Sequence, residues 1–164
     1  MIFTWCMFGG QITGGHFNPA VSVGVYISNK HWKEDWYMMA LMILAQCFGA
    51  FLGLGLAWIS LYNINSDEEL TRAGVPVLEV SLLLPNEPTV TVANTFMIEM
   101  VCTFMFVMIN LIVKTGKTQP TKDGMLSCFA VGWTLLAMIC IAGPKTGACI
   151  NPAVGIAQTV WGMI

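Results

Sequence analysis

Charge is what this sequence has least of. Asp, Glu, Lys and Arg make up only 10% of its 164 residues against 56% hydrophobic residues, a balance that a water-soluble domain of this size does not keep. The formal net charge is −2 and there is no run of Lys or Arg. No cationic surface is therefore available to neutralise phosphates, which excludes nucleic-acid binding. The apolar stretch MIFTWCMFGG has no basic n-region and no small-residue cleavage site, so it reads as part of a membrane helix rather than a signal peptide. Nor does the chain carry a cluster of metal ligands, a nucleophile with a neighbouring base, or a charge pair inside an apolar segment. This sets aside an enzyme, a coupled transporter, and any bound metal or cofactor. The cysteines offer no disulfide framework either. Cys6, Cys47, Cys102, Cys128 and Cys140 lie within apolar stretches, where a thiol serves as a small hydrophobe.

What is present is membrane-length hydrophobicity. Three stretches, Trp36 to Tyr62, Ala93 to Val113 and Gly124 to Ala142, are long enough for a helix to cross hydrocarbon, which takes about 20 residues. A fourth, Met1 to about Thr13, is too short to span and reads as the end of a helix that began earlier. Lys30 and Lys33 in SNKHWKED, and Lys114, Lys117 and Lys122 in KTGKTQPTKDG, place both of those loops on the cytoplasmic side. The connection from Asn63 to Val92 carries Asp67, Glu68, Glu69, Glu79 and Glu87 against the single Arg72, which puts it on the opposite face. Its apolar VPVLEVSLLLP run is too short to span and is expected to fold over the outer mouth.

The tetrapeptide Asn-Pro-Ala-Val occurs twice, at 18–21 and at 151–154. Each copy starts a helix: Asn is a preferred N-cap, and Pro at the first helical position gives up an N–H that would have no partner anyway. The apolar segments that follow, Asn18 to Ser28 and Asn151 to Met163, are about half a bilayer long. Aligning the copies pairs Gly14 with Gly147, Asn18 with Asn151, Pro19 with Pro152 and Ala20 with Ala153. Three spans, an odd number, lie between them, so the second half-helix enters from the face opposite the first. The expectation is an all-α membrane protein built as an inverted repeat, with two re-entrant half-helices meeting at the bilayer midplane. Its parts are a first repeat over residues 1–62, an outer loop over 63–92 and a second repeat over 93–164.

The chemistry of such a junction follows directly. Two helix N-termini, each equivalent to roughly +0.5 elementary charge, face a common point and disfavour cations there. Asn18 and Asn151 offer amide donors to a passing water oxygen from opposite walls, so that the water cannot relay a proton along a file. Irregular backbone at this depth is tolerated where it is buried or lines a wet cavity, and Gly14, Gly15 and Gly147 permit it.

On these paired motifs, with AQCFGAFLG, Glu99 in NTFMIEM and the run GWTLLAMICIAGPKTGACINPA, the chain resembles the aquaporin or major intrinsic protein family over nearly its whole length. The resemblance implies a passive channel for water in the membrane lipid, no enzyme activity, and a homotetramer with one pore per subunit. It also implies six spans. The walls that residues 1–164 do not supply come either from further chain, which is the expectation, or from other membrane subunits. A non-conducting structural relative within a larger membrane assembly is the alternative.

The resemblance further implies that Glu99 accepts hydrogen bonds from the second motif's loop, that His16 holds the first loop, and that Gln46 packs and bonds nearby. A bare charge inside a span costs roughly 2.5–3.5 kcal/mol, so Glu99 needs such partners. The outer constriction departs from the family. Val154 stands where most aquaporins have Arg, Ile139 stands where water-selective members have His, and the loop contributes Ala148 beside Gly147. Loss of the guanidinium removes fixed donors and a barrier to cations, leaving a wider, more apolar filter. Small uncharged solutes such as glycerol, urea or ammonia are expected to pass with water.

Overall fold

Each short helix begins where its asparagine caps it. In a computed structural model of the chain, which describes residues 2–30, 35–61, 92–114 and 118–161, Asn18 has extended backbone (φ −154°, ψ 121°) and its Oδ1 accepts from Ala20 N. Pro19 then opens a helix that runs to Asn29 and closes on Lys30 in the left-handed region. Asn151 repeats the device at the other end of the chain, its Oδ1 accepting from Ala153 N at 3.1 Å, and Pro152 opens a helix to Trp161. Both half-helices lie within a turn or so of the lengths expected from their apolar runs.

Six helices are described: α1 Ile2–Thr13, α2 Pro19–Asn29, α3 Trp36–Leu61, α4 Val92–Lys114, α5 Gly124–Thr146 and α6 Pro152–Trp161, with no strand among the described residues. The helices α3, α4 and α5 are long and apolar enough to cross a membrane. Except for Val92, which begins α4, the acidic connection expected to fold over the outer mouth lies outside the described residues. The α5 helix runs a turn beyond Ala142, the end read from the sequence. Pro144 sits inside it, the helix continues to Thr146, and Gly147 terminates it with φ 82° and an N–H donated to Gly143 O. A helix-breaking residue this close to a C-terminus is accommodated because few turns remain to be disrupted. At the other end of α5, Asp123 caps by accepting from Met125 N and Leu126 N.

The helices pack around the starts of α2 and α6. Neighbouring pairs are α1 with α5, α4 with α5, α2 with α3 and α4, and α3 with α6. The buried residues converge from α1 (Cys6), α2 (Val21), α4 (Cys102, Phe106), α5 (Val131) and the second loop (Ile150). The core therefore sits at the half-helix junction, and the spans turn much of their apolar surface outward, as helices bordered by lipid or other apolar helices do. None of the most apolar window of α3 is buried within the chain. The GxxxG pair Gly49 and Gly53, expected at a close helix contact, faces open space here.

Gly24 lies where α2 packs against α4. A Cβ built there stands 2.6 Å from Val107 Cγ1, inside van der Waals contact with a stiff β-branched side chain. Gly24→Ala is expected to lower the melting temperature in detergent, because overpacking costs about 1–3 kcal/mol against about 1 kcal/mol from alanine's better helix propensity. Val107→Ala in the same background should restore part of the loss. A melting temperature that does not move in either variant would show that α2 and α4 do not pack as described.

Candidate pore junction

The two motif loops have one backbone course. Gly14 and Gly147 have φ 77° and 82°, Gly15 and Ala148 have 59° and 51°, and Phe17 and Ile150 both have 49°. Three of these residues are not glycine, and left-handed backbone costs such residues on the order of 1–3 kcal/mol each. Strain of this kind survives only where the surroundings over-determine it, and here they do.

The asparagines supply the central constraint. Asn18 Nδ2 donates to Ile150 O at 2.9 Å, and Asn151 Nδ2 donates to Phe17 O at 2.9 Å. Each amide thus caps its own half-helix with its oxygen and binds the opposite loop's carbonyl with its nitrogen. Asn18 and Asn151, 133 positions apart by their numbers, are held as a reciprocal pair with the two helix N-termini facing each other. The motif reading assigned these amides to passing water alone. One of the two hydrogens on each Nδ2 instead holds the fold together.

Further braces differ between the loops. In the second, Glu99 accepts from Cys149 N at 3.1 Å, from Ile150 N at 2.9 Å and from the Thr146 hydroxyl. Thr146 Oγ1 in turn accepts from Ala148 N. Glu99, an acid inside a span, is therefore satisfied by the strained loop it supports. In the first loop, His16 Nδ1 shares a hydrogen bond with Ser22 Oγ at 3.2 Å, and Ser22 Oγ also accepts from Gln46 Nε2 at 2.9 Å. Ser22 is the hub of this network. It escaped the sequence reading, although its place one residue after the Asn-Pro-Ala-Val motif was a usable signal. Lys114 was read only as loop charge, yet its Nζ donates to Gly14 O at 2.9 Å and to Gly15 O at 3.2 Å. No local pattern announces that contact, which spans about a hundred residues.

Two hollows flank the junction. A groove of about 440 Å³ is lined by His16, Phe17, Gln46, Asn151, Ala153 and Val154, among others. A second, of about 560 Å³, lies under the α4–α5 connection and has Gly14, Gln11, Lys114, Gln119 and Ser127 in its wall. Val154 and Asn151 share the groove, but Ile139 lines a different hollow with Ile2, Phe3 and Trp133. Ala148 is buried. The three side chains assigned to one constriction are thus not brought into one cavity among the described residues. Cys149 is turned into the fold, its Sγ donating to Asn151 O and standing 2.9 Å from where a Cβ on Gly155 would be. All six thiols are free, and no group of three or more His, Cys, Asp or Glu side chains converges among the described residues.

Comparison with known proteins agrees with this arrangement. The chain is 31% identical, over 92% of its length and 26% of the relative's, to an uncharacterised membrane protein of Schizosaccharomyces pombe. It is 29% identical to aquaporin-8 of Mus musculus, over 88% of the chain and 49% of the relative. It is 26% identical to aquaglyceroporin-2 of Rhizophagus irregularis, over 88% of the chain and 45% of the relative. The chain thus spans about half the length of these two channels. The family model described as major intrinsic protein matches residues 1–162. With apolar helices of membrane length and two asparagine-capped half-helices locked start to start, the chain belongs to the major intrinsic protein family of integral membrane proteins.

Proposed function

We propose that the chain carries the pore junction of a passive channel for water and small uncharged solutes such as glycerol, urea or ammonia. The observation that carries this reading is the reciprocal pair Asn18 to Ile150 O and Asn151 to Phe17 O. It fixes two helix starts against each other and leaves one amide hydrogen on each side for a ligand oxygen. A water or alcohol oxygen accepting from both is oriented with its own hydrogens away from the junction, and the file cannot hand a proton through it. The two N-termini add a positive field that repels cations at the same point. In this reading residues 1–62 and 93–164 are the halves of an inverted repeat, and the working unit is a homotetramer in membrane lipid.

Val154, which lines the groove with Asn151, sets its width and polarity on that side. The aquaglyceroporin among the relatives supports a pore that takes solutes larger than water. His16, Gln46, Pro19, Ala20, Pro152, Ala153 and Glu99 hold the loops.

Stopped-flow swelling of proteoliposomes tests the reading. The protein should carry both water and glycerol, and Val154→Arg should cut glycerol flux by about ten-fold, a barrier increase of about 1.4 kcal/mol, while water flux falls much less. Water flux with no glycerol flux in the unaltered protein would contradict the solute range, and neither flux would favour a non-conducting structural role. Glu99 provides a separate check on the loop assignments. Glu99→Gln places an amide NH₂ against backbone donors and should cost about 1–3 kcal/mol of stability, seen as a lower melting temperature, with proton leak unchanged at background. A proton current that disappears in the variant at unaltered stability would make Glu99 a relay.

A further inference from the structure

We propose that Lys114 is a cation-excluding residue of this pore, a tethered positive charge at the mouth beneath the α4–α5 connection. The proposal rests on the channel reading above and deepens it. Its ammonium, at the last position of α4, binds Gly14 O and Gly15 O at 2.9 and 3.2 Å. Those two carbonyls belong to the stretch just before Asn18 in which Gly14, Gly15 and Phe17 have left-handed backbone. Carbonyl oxygens grouped in a narrow pore replace the hydration shell of a small cation and so invite one in. Here the site is already filled by a cation that cannot leave. Lys114 also lines the hollow of about 560 Å³, and the described residues in that wall include no carboxylate to neutralise it.

A second observation marks the same hollow as a place for polar ligands. The Ser127 hydroxyl, on α5, lines it and is buried with no hydrogen-bond partner among the described residues. Ser127 is 7% exposed and its hydroxyl oxygen is buried, so it stands behind the wall of the hollow. The ammonium keeps one hydrogen beyond its two bonds to the loop carbonyls. A cation that enters the hollow meets a like charge. The position is complementary to Val154. The filter expected at the far mouth has no guanidinium, and the fixed charge of this pore stands at the opposite end.

The test uses proteoliposomes with the unaltered protein, Lys114→Gln and Lys114→Arg, each read for water and glycerol swelling and for potassium and methylammonium flux. Lys114→Gln keeps a donor for the loop carbonyls and removes only the charge. The expected result is cation flux at least about ten-fold above the unaltered protein, a rise out of proportion to any change in water flux. Lys114→Arg should restore exclusion, and Lys145→Gln, which removes a remote exposed charge, should leave it intact. A Lys114→Gln protein that folds and swells normally but stays tight to both cations overturns the proposal and leaves the channel reading standing. An unaltered protein that passes neither water nor glycerol overturns both. Should Lys114→Gln not fold, Lys114→Arg and reductive methylation of the intact protein, which retain the charge, must keep cations out; a cation leak in either overturns the proposal.

Discussion

A protein that places irregular backbone at the centre of a bilayer must find a partner for every polar group it leaves there, because hydrocarbon supplies none. That constraint organises this structure. The two loops that break the membrane helices are short, strained and rich in groups without helical partners, and they are satisfied by one another and by side chains of α4. Asn18 binds Ile150 O, Asn151 binds Phe17 O, and each asparagine also closes the first turn of its own helix. The same two side chains thus begin the half-helices, join them and present what hydrogens remain. In the proposed channel, the groups that hold the junction together are thus the ones that would meet the solute.

Beyond the junction the two loops diverge although their dihedral angles repeat. The second is braced by a carboxylate that accepts from backbone N–H groups, the first by an ammonium that donates to backbone carbonyls. Each brace comes from α4, Glu99 near its start and Lys114 at its end. One helix therefore holds both loops, with opposite charges at opposite depths. Both arrangements satisfy an ionic group with loop backbone in place of a counter-ion, which avoids the loss of a partner that makes buried ion pairs fragile.

Much of this was legible in the sequence, and the reason is local chemistry. An Asn followed by Pro specifies a helix start within two residues, and both starts fall at Pro19 and Pro152 as read. Apolar length specifies the spans, whose ends differ only by fractions of a turn except in α5. There the apolar run gave Ala142 as the end, while the glycine after Thr146 decided the true one. What stayed hidden depends on three-dimensional approach. Nothing near Lys114 in the chain says that its ammonium meets Gly14, and nothing near Ser22 says that it joins His16 to Gln46. The grouping of Ile139 with Val154 came from resemblance and not from local rules, and the described cavities place them in separate hollows.

The distribution of charge along the pore gives these details a common logic. A channel for uncharged solutes has two demands that conflict at a single constriction: a wall wide and apolar enough for a carbon skeleton, and a fixed charge to refuse ions. A guanidinium at a constriction meets the second demand by narrowing the space, since its planar fork occupies the width that a larger solute needs. An ammonium on a flexible stem, bound sideways to loop carbonyls above a hollow of about 560 Å³, supplies charge without filling the passage. Val154 beside Asn151 and Lys114 beside Gly14 then form one solution in two places. The two N-termini at the junction contribute the same sign of field between them. In the proposed channel, separating width from charge in this way would let each be tuned by a different residue, and it would make the mouth nearest α4's end, rather than the one nearest Val154, the place where ions are refused.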